Sequence, residues 1–174
     1  MTEKFNSDYK DTVVAKRFLK KYNLASLLFS TGIFILIISI IPYLLIKNDN
    51  FNERIIPSLV VAAAGIVLIV IGSLRKKSIR EANKNKYTVA AMDFIGDQKK
   101  EIKKFYRRDM IIGILLIILA PIIYFLIHYR SSFLPENMDA YITSILILIL
   151  AIGVFMIINS TEKSRAYTYI LENI

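Results

Sequence analysis

The chain of 174 residues has no cysteine, no tryptophan and a single histidine, and each absence removes a class of chemistry. Without cysteine there is no disulfide framework, thiol nucleophile, haem attachment or cysteine zinc site, and the redox compartment stays undetermined. One histidine, His128, cannot form a metal-binding cluster or a His-Glu-x-x-His helix. Asp109 and His128 flank one apolar run, about 27 Å apart along a helix, too far to act as an acid–base pair. No Gly-x-x-x-x-Gly-Lys-Ser/Thr or Gly-x-Gly-x-x-Gly segment occurs, so neither a nucleotide nor another cofactor is expected.

A further absence is local. Four runs, 24–46, 55–74, 110–127 and 140–158, contain no Asp, Glu, Lys, Arg or His. Together they hold 80 residues of a chain that is 55% hydrophobic, with a mean hydropathy of +0.50. At 1.5 Å per residue each run can cross a hydrocarbon layer of about 30 Å, which needs about 20 residues. They are too long for strands and lack the alternation of barrel strands, so four transmembrane helices are predicted. Residues 1–23 precede the first run and are mostly polar, unlike a secretory signal, so that run is read as a retained span. A proton relay or an intramembrane aspartyl protease needs ionisable groups inside the spans. Their absence there predicts a protein that is not an enzyme.

The 23 Lys and Arg outnumber 14 Asp and Glu, for a net charge of +9. Twenty of the 23 lie in segments 1–23, 75–109 and 159–174, while Lys47, Arg54 and Arg130 fall in the two short connecting segments between them. Basic residues stay on the cytoplasmic side of span ends, so both termini and the 75–109 segment are expected in the cytoplasm of a bacterial cell. Tyr22 and Tyr106 at the inner ends, and Tyr43, Tyr124, Tyr129 and Tyr141 near the outer ends, suit the headgroup layer. The basic stretches lie so close to the predicted membrane that anionic phospholipid, and no nucleic acid, is the expected partner.

Two of these stretches have the pattern of amphipathic helices on the membrane surface. Val14, Phe18 and Tyr22 recur at helical spacing among Lys16, Arg17, Lys20 and Lys21; Ile102, Phe105 and Tyr106 do so among Lys99, Lys100, Lys103, Lys104, Arg107 and Arg108. These ten basic residues are the candidate lipid contacts. Tyr167, Ile170, Leu171 and Ile174 form a similar stripe in the tail, and 78–97 is the most loop-like part of the 75–109 segment.

The two halves resemble each other. Gly32-Ile33-Phe34-Ile35-Leu36-Ile37-Ile38-Ser39 overlies Gly113-Ile114-Leu115-Leu116-Ile117-Ile118-Leu119-Ala120 at an offset of 81, and Ala63-Ala64-Gly65-Ile66 overlies Ala151-Ile152-Gly153-Val154 at an offset of 88. Two tandem hairpins, 24–74 and 110–158, would be parallel repeats, since each returns the chain to its starting side. Small residues let membrane helices approach closely, which makes Ser58, Ala62, Gly65 and Gly72 with Gly113 and Gly153 candidates for packing in the bundle or for contact with a partner. Ser26 and Ser30 form a further small pair, Pro42 and Pro121 are expected to kink their helices, and Pro57 is expected in a first helical turn.

The segment Arg108-Asp109-Met110-Ile111-Ile112-Gly113 through Ala120-Pro121, followed by Ala151-Ile152-Gly153-Val154-Phe155, resembles the four-span membrane tails found behind Cro/C1-type helix-turn-helix regulators of Gram-positive bacteria, and related small stand-alone membrane proteins. The similarity covers about residues 102–164. Only 23 residues precede the first span, too few for a helix-turn-helix domain, so the resemblance does not imply DNA binding; nor does it supply catalytic residues. The expected role is that of a regulatory or accessory subunit acting on another membrane protein or on further copies of itself. A membrane immunity protein against a bacteriocin or toxin, and a small oligomeric permease or channel, stay open as alternatives. Reporter fusions test the topology: enzymes joined after Asn48 and Asn137 are expected to report the outside, and one joined after Lys86 the inside.

Overall fold

The computed structural model describes the backbone of residues 2–47, 50–84, 89–129 and 138–172, with side chains from residue 12 onward except those of 89–93 and 128. The described residues form five helices: α1 (Thr2–Ile38), α2 (Ile41–Leu45), α3 (Phe51–Ala82), α4 (Val89–Tyr129) and α5 (Met138–Glu172). Four are long and apolar enough to cross a membrane, the first span combining α1 with α2, and the chain is an all-α, multi-pass membrane protein.

The helix bounds differ from the apolar runs in instructive ways. α1 stops at Ile38, inside its run, because Pro42 has no N–H for the Ile38 carbonyl and its ring would collide with it. The chain turns through Ser39 and Ile40 and resumes as α2 with Pro42 in its first turn; the Ser39 hydroxyl bonds the Leu36 carbonyl. α3 begins four residues before its run, capped by the Asn50 side chain accepting from the Asn52 amide, which leaves Pro57 inside the helix and beyond its first turn. Pro121 lies within an unbroken α4. The 75–109 segment is mostly helix, since α3 runs on to Ala82 and α4 starts at Val89. Asn83 ends α3, its side chain bonding the Ile79 carbonyl at 2.7 Å; residues 85–88 lie outside the described set, as do 48–49 and 130–137.

At 1.5 Å per residue the 41 residues of α4 reach about 60 Å and the 35 of α5 about 52 Å, well beyond a bilayer of 40–45 Å with headgroups. The surplus of the long helices gathers at one end, where the basic residues are. There the apolar stripes of Phe18 and Tyr22, of Ile102 and Tyr106, and of Tyr167 and Ile170 meet one another. They do not form separate helices lying along lipid. Phe18, Tyr22, Ile95, Ala166 and Ile170 are buried in one core, and the Phe18 ring stacks on Tyr22 and Tyr169 with centroids 5.6 and 5.5 Å away. The physical reason is that each stripe continues a spanning helix straight out of the apolar zone, and in water such stripes bury themselves against each other.

In the apolar zone the order reverses. Val60, Val67 and Leu74 of α3 and Leu115, Ile118 and Phe125 of α4 are exposed, while small residues are buried. α1 packs chiefly against α3 and α5, and α4 against α5. Gly32 meets Gly65 so closely that a methyl on either would lie 2.7 to 2.9 Å from the other's carbonyl oxygen; Gly113 and Gly153 stand in the same reciprocal relation at 2.7 Å each way. One turn pair further along, a methyl on Gly72 would fall 2.7 Å from the Phe29 nitrogen. Phe34 meets Phe155 edge to face between α1 and α5, centroids 6.1 Å apart. Valine at Gly113 or Gly153 is therefore expected to cost about 1–3 kcal/mol by forcing the backbones apart. Thermal unfolding in detergent measures it, with Gly96→Ala as the uncrowded control, expected to keep or slightly raise stability because nothing lies within 4 Å of a methyl there and alanine favours a helix interior.

Candidate functional site

The basic end holds two connected features, a buried ionic cluster and a cavity. α5 carries Glu162 inward, four residues beyond the last apolar run. Its carboxylate accepts from Lys76 Nζ of α3 at 3.0 Å, from the Tyr22 hydroxyl of α1 at 3.3 Å and from Arg165 one turn on at 3.1 Å. Lys76 and Glu162 are nearly removed from solvent, with side chains 12% and 8% exposed, so with Tyr22 this pair ties three helices together away from water. Lys76 also lies 3.6 Å from the centre of the Phe29 ring. Arg80 donates to the Tyr22 hydroxyl and faces the rings of Tyr22 and Tyr169, while the Tyr169 hydroxyl donates to the Arg80 carbonyl at 2.8 Å.

The cavity, of about 570 Å³, lies beside this cluster against α4 and α5, with Arg80 reaching it from α3. Lys103, Tyr106, Arg107 and Met110 of α4 recur at i, i+3, i+4 and i+7, so one helix face supplies them all. From α5 come Ser160, Ser164 and Thr168 at spacings of four. At offsets of 81 and 88, Phe29 and Gly72 correspond to Met110 and Ser160. Phe29 touches Gly72 with no room for a methyl, whereas Met110 and Ser160 line the cavity. A side chain at 160 cannot permit the approach that glycine permits at 72, and the space opens there.

Three tyrosines here lie outside the apolar runs and titrate above the ordinary phenol range. Burial raises Tyr22, helped by the Glu162 carboxylate; burial also raises Tyr106 and Tyr167, which face each other with centroids 6.4 Å apart. All three keep their protons at neutral pH.

Of the candidate lipid contacts, Lys103 and Arg107 line the cavity and are themselves exposed. Lys16, Arg17, Lys20, Lys21, Lys104 and Arg108 are exposed; Lys16 covers the Phe94 ring at 4.9 Å and Arg108 pairs with Asp109. Lys99 donates to the Thr168 hydroxyl, and Lys100 pairs with Asp97. Of the small-residue candidates, Gly65 and Gly72 are turned toward α1 and Gly113 and Gly153 toward each other, which uses them inside the bundle. Ser58 accepts the Tyr43 amide of α2 at 3.0 Å, Ala62 is half-buried, and Ser30 bonds the Ser26 carbonyl.

The cluster of Tyr22, Lys76, Arg80 and Glu162 was not anticipated from the sequence. Its signal was slight: Glu162 is an acid among basic neighbours just past a span, three residues before Arg165. No group of three or more His, Cys, Asp or Glu side chains suited to a metal occurs among the described residues. Comparison with protein-family models, curated proteins and solved structures finds no match.

Removing one partner of the buried pair strands the other. Glu162→Ala is expected to lose about 3–5 kcal/mol of stability, whereas Lys76→Met combined with Glu162→Leu is expected to recover most of that loss. Thermal unfolding of the two variants in the same detergent distinguishes them.

Proposed function

We infer that the chain is an integral protein of the bacterial cytoplasmic membrane, with both termini inside, that acts without catalysis as a regulatory or accessory subunit of a membrane partner. Its architecture is two tandem parallel-repeat hairpins. The reciprocal Gly32–Gly65 and Gly113–Gly153 contacts, related by the same offsets as the sequence repeat, support that reading. The charge bias of 20 basic residues against three supports the orientation. Anionic phospholipid meets the basic end, where exposed Lys16, Arg17, Lys20, Lys21, Lys104 and Arg108 stand close to the span ends.

The observation that carries the accessory role is the distribution of chemistry. The buried ionic cluster lies beyond the apolar runs, and those runs present side chains such as Val67 of α3 and Leu115 of α4, more than half exposed, to whatever surrounds them. Such faces serve contact with lipid or with another helix. Because Gly65 and Gly72 are used internally, a partner meets the outward faces of α3 and α4 instead.

Photoreactive residues at positions 67 and 115, activated in native membranes, test this. A discrete adduct with one membrane protein, or with a second copy of the chain, is the expected result. Adducts with lipid alone at both positions would refute the accessory-subunit reading.

A further inference from the structure

We propose that the cavity between α4 and α5 is a binding site for the phosphate of an anionic membrane lipid, its acyl chains leaving past Met110. The inference deepens the lipid contact set out above and rests on the membrane reading of the chain. It differs from it in naming one open cavity where a general basic surface was the claim.

The charge of the cavity is one-sided. Arg80, Lys103, Arg107 and Arg165 line it against a single carboxylate, Glu172. Arg165 is engaged by Glu162 at 3.1 Å, and Arg80 by the Tyr22 hydroxyl. The Arg80 Nε is nevertheless buried with no hydrogen-bond acceptor. Lys103 and Arg107 make no hydrogen bond or ion pair with any described residue. Facing the cations along α5, Ser160, Ser164 and Thr168 add hydroxyls to the lining. Guanidinium, ammonium and hydroxyl groups around one space match a phosphate, whose oxygens accept from all three.

Position selects a lipid over a soluble phosphate. Met110 opens the apolar run of α4, and Ser160 lies two residues past the run of α5, so one end of the cavity is at the edge of the hydrocarbon zone. Arg107 is three residues from Met110, or about 4.5 Å along the helix axis, and Lys103 about 10 Å. That is the depth at which headgroup phosphates lie outside a hydrocarbon core of about 30 Å. A soluble phosphate has no use for the apolar end. At about 570 Å³ the space also exceeds what a bare phosphate fills and falls in the range of small-molecule sites.

The test uses the full chain in a neutral detergent, titrated with dioctanoyl phosphatidic acid, with dioctanoyl phosphatidylcholine and with glycerol 3-phosphate. Saturable binding of the phosphatidic acid is expected, with glycerol 3-phosphate at least about tenfold weaker because it has no chains to bury. Lys103→Ala with Arg107→Ala is expected to weaken phosphatidic acid binding at least about tenfold. Lys77→Ala with Lys84→Ala removes the same charge from exposed positions that neither line the cavity nor belong to the candidate lipid contacts, and is expected to change binding less than about twofold. Ser164→Leu fills the cavity and keeps every charge, and is expected to weaken binding as the first pair does; unchanged thermal midpoints show that each variant is folded. Equal losses in the two double variants, undiminished binding by folded Ser164→Leu, or equally tight binding of glycerol 3-phosphate would overturn the proposal. Release of the chain from membranes by alkaline carbonate would instead defeat the membrane reading, whichever ligand the cavity holds.

Discussion

In hydrocarbon, apolar side chains gain nothing by leaving lipid for one another, so helices hold together there only where their backbones come close. The fold obeys that constraint in its apolar zone. Backbones approach closely at Gly32 against Gly65, Gly72 against Phe29, and Gly113 against Gly153, while large aliphatic residues of α3 and α4 stay exposed. Dispersion contact and weak Cα–H to carbonyl interactions at such distances replace the hydrophobic drive that is missing.

The same helices leave that zone by several turns, and the rules invert as they do. Phe18, Tyr22, Ile95, Tyr167 and Ile170 collapse into a core of the kind found in water-soluble bundles. The chain thus combines two solvents in continuous helices: small residues inside where lipid surrounds it, large ones inside where water does. The join between them holds the Lys76–Glu162 pair and the cavity. Polar groups are concentrated there because both neighbouring zones exclude them from their interiors.

The pair α1 with α3 and the pair α4 with α5 differ where the spans meet the basic end. Where the first hairpin has glycine at 72, the second has serine at 160, and a hydroxymethyl group stands where the first pair of helices tolerates no methyl. A closed seam in one half becomes an opening in the other. In lipid one aliphatic face serves as well as another, but a side chain at a close backbone contact alters the spacing of whole helices.

Much of the layout was legible in the chain itself. Four uncharged runs of spanning length predicted four membrane helices, since unsatisfied backbone groups and charges are both excluded from lipid. The glycines at 65, 72, 113 and 153 stood out as packing residues because close approach needs no side chain. The stripes at 14–22, 102–106 and 167–171 were visible too, but the surface they would cover was not. Spacing along one helix gives the direction of an apolar face and leaves open whether lipid or another helix lies opposite. Pro42 and Pro121 were both expected to kink their helices; the helix breaks at Ser39–Ile40 before Pro42, while α4 runs unbroken through Pro121.

The amino-acid order alone thus determined where the four apolar spans lie, which lengths suit lipid and which end is basic, because these follow from local hydrophobicity and charge. Only the tertiary structure decided that Tyr22, Lys76, Arg80 and Glu162 meet, and that Lys103 and Arg107 share a cavity with Ser160 and Ser164. Tyr22 and Glu162 are 140 residues apart, and no periodicity within one helix records the rotation and separation of another against which it packs.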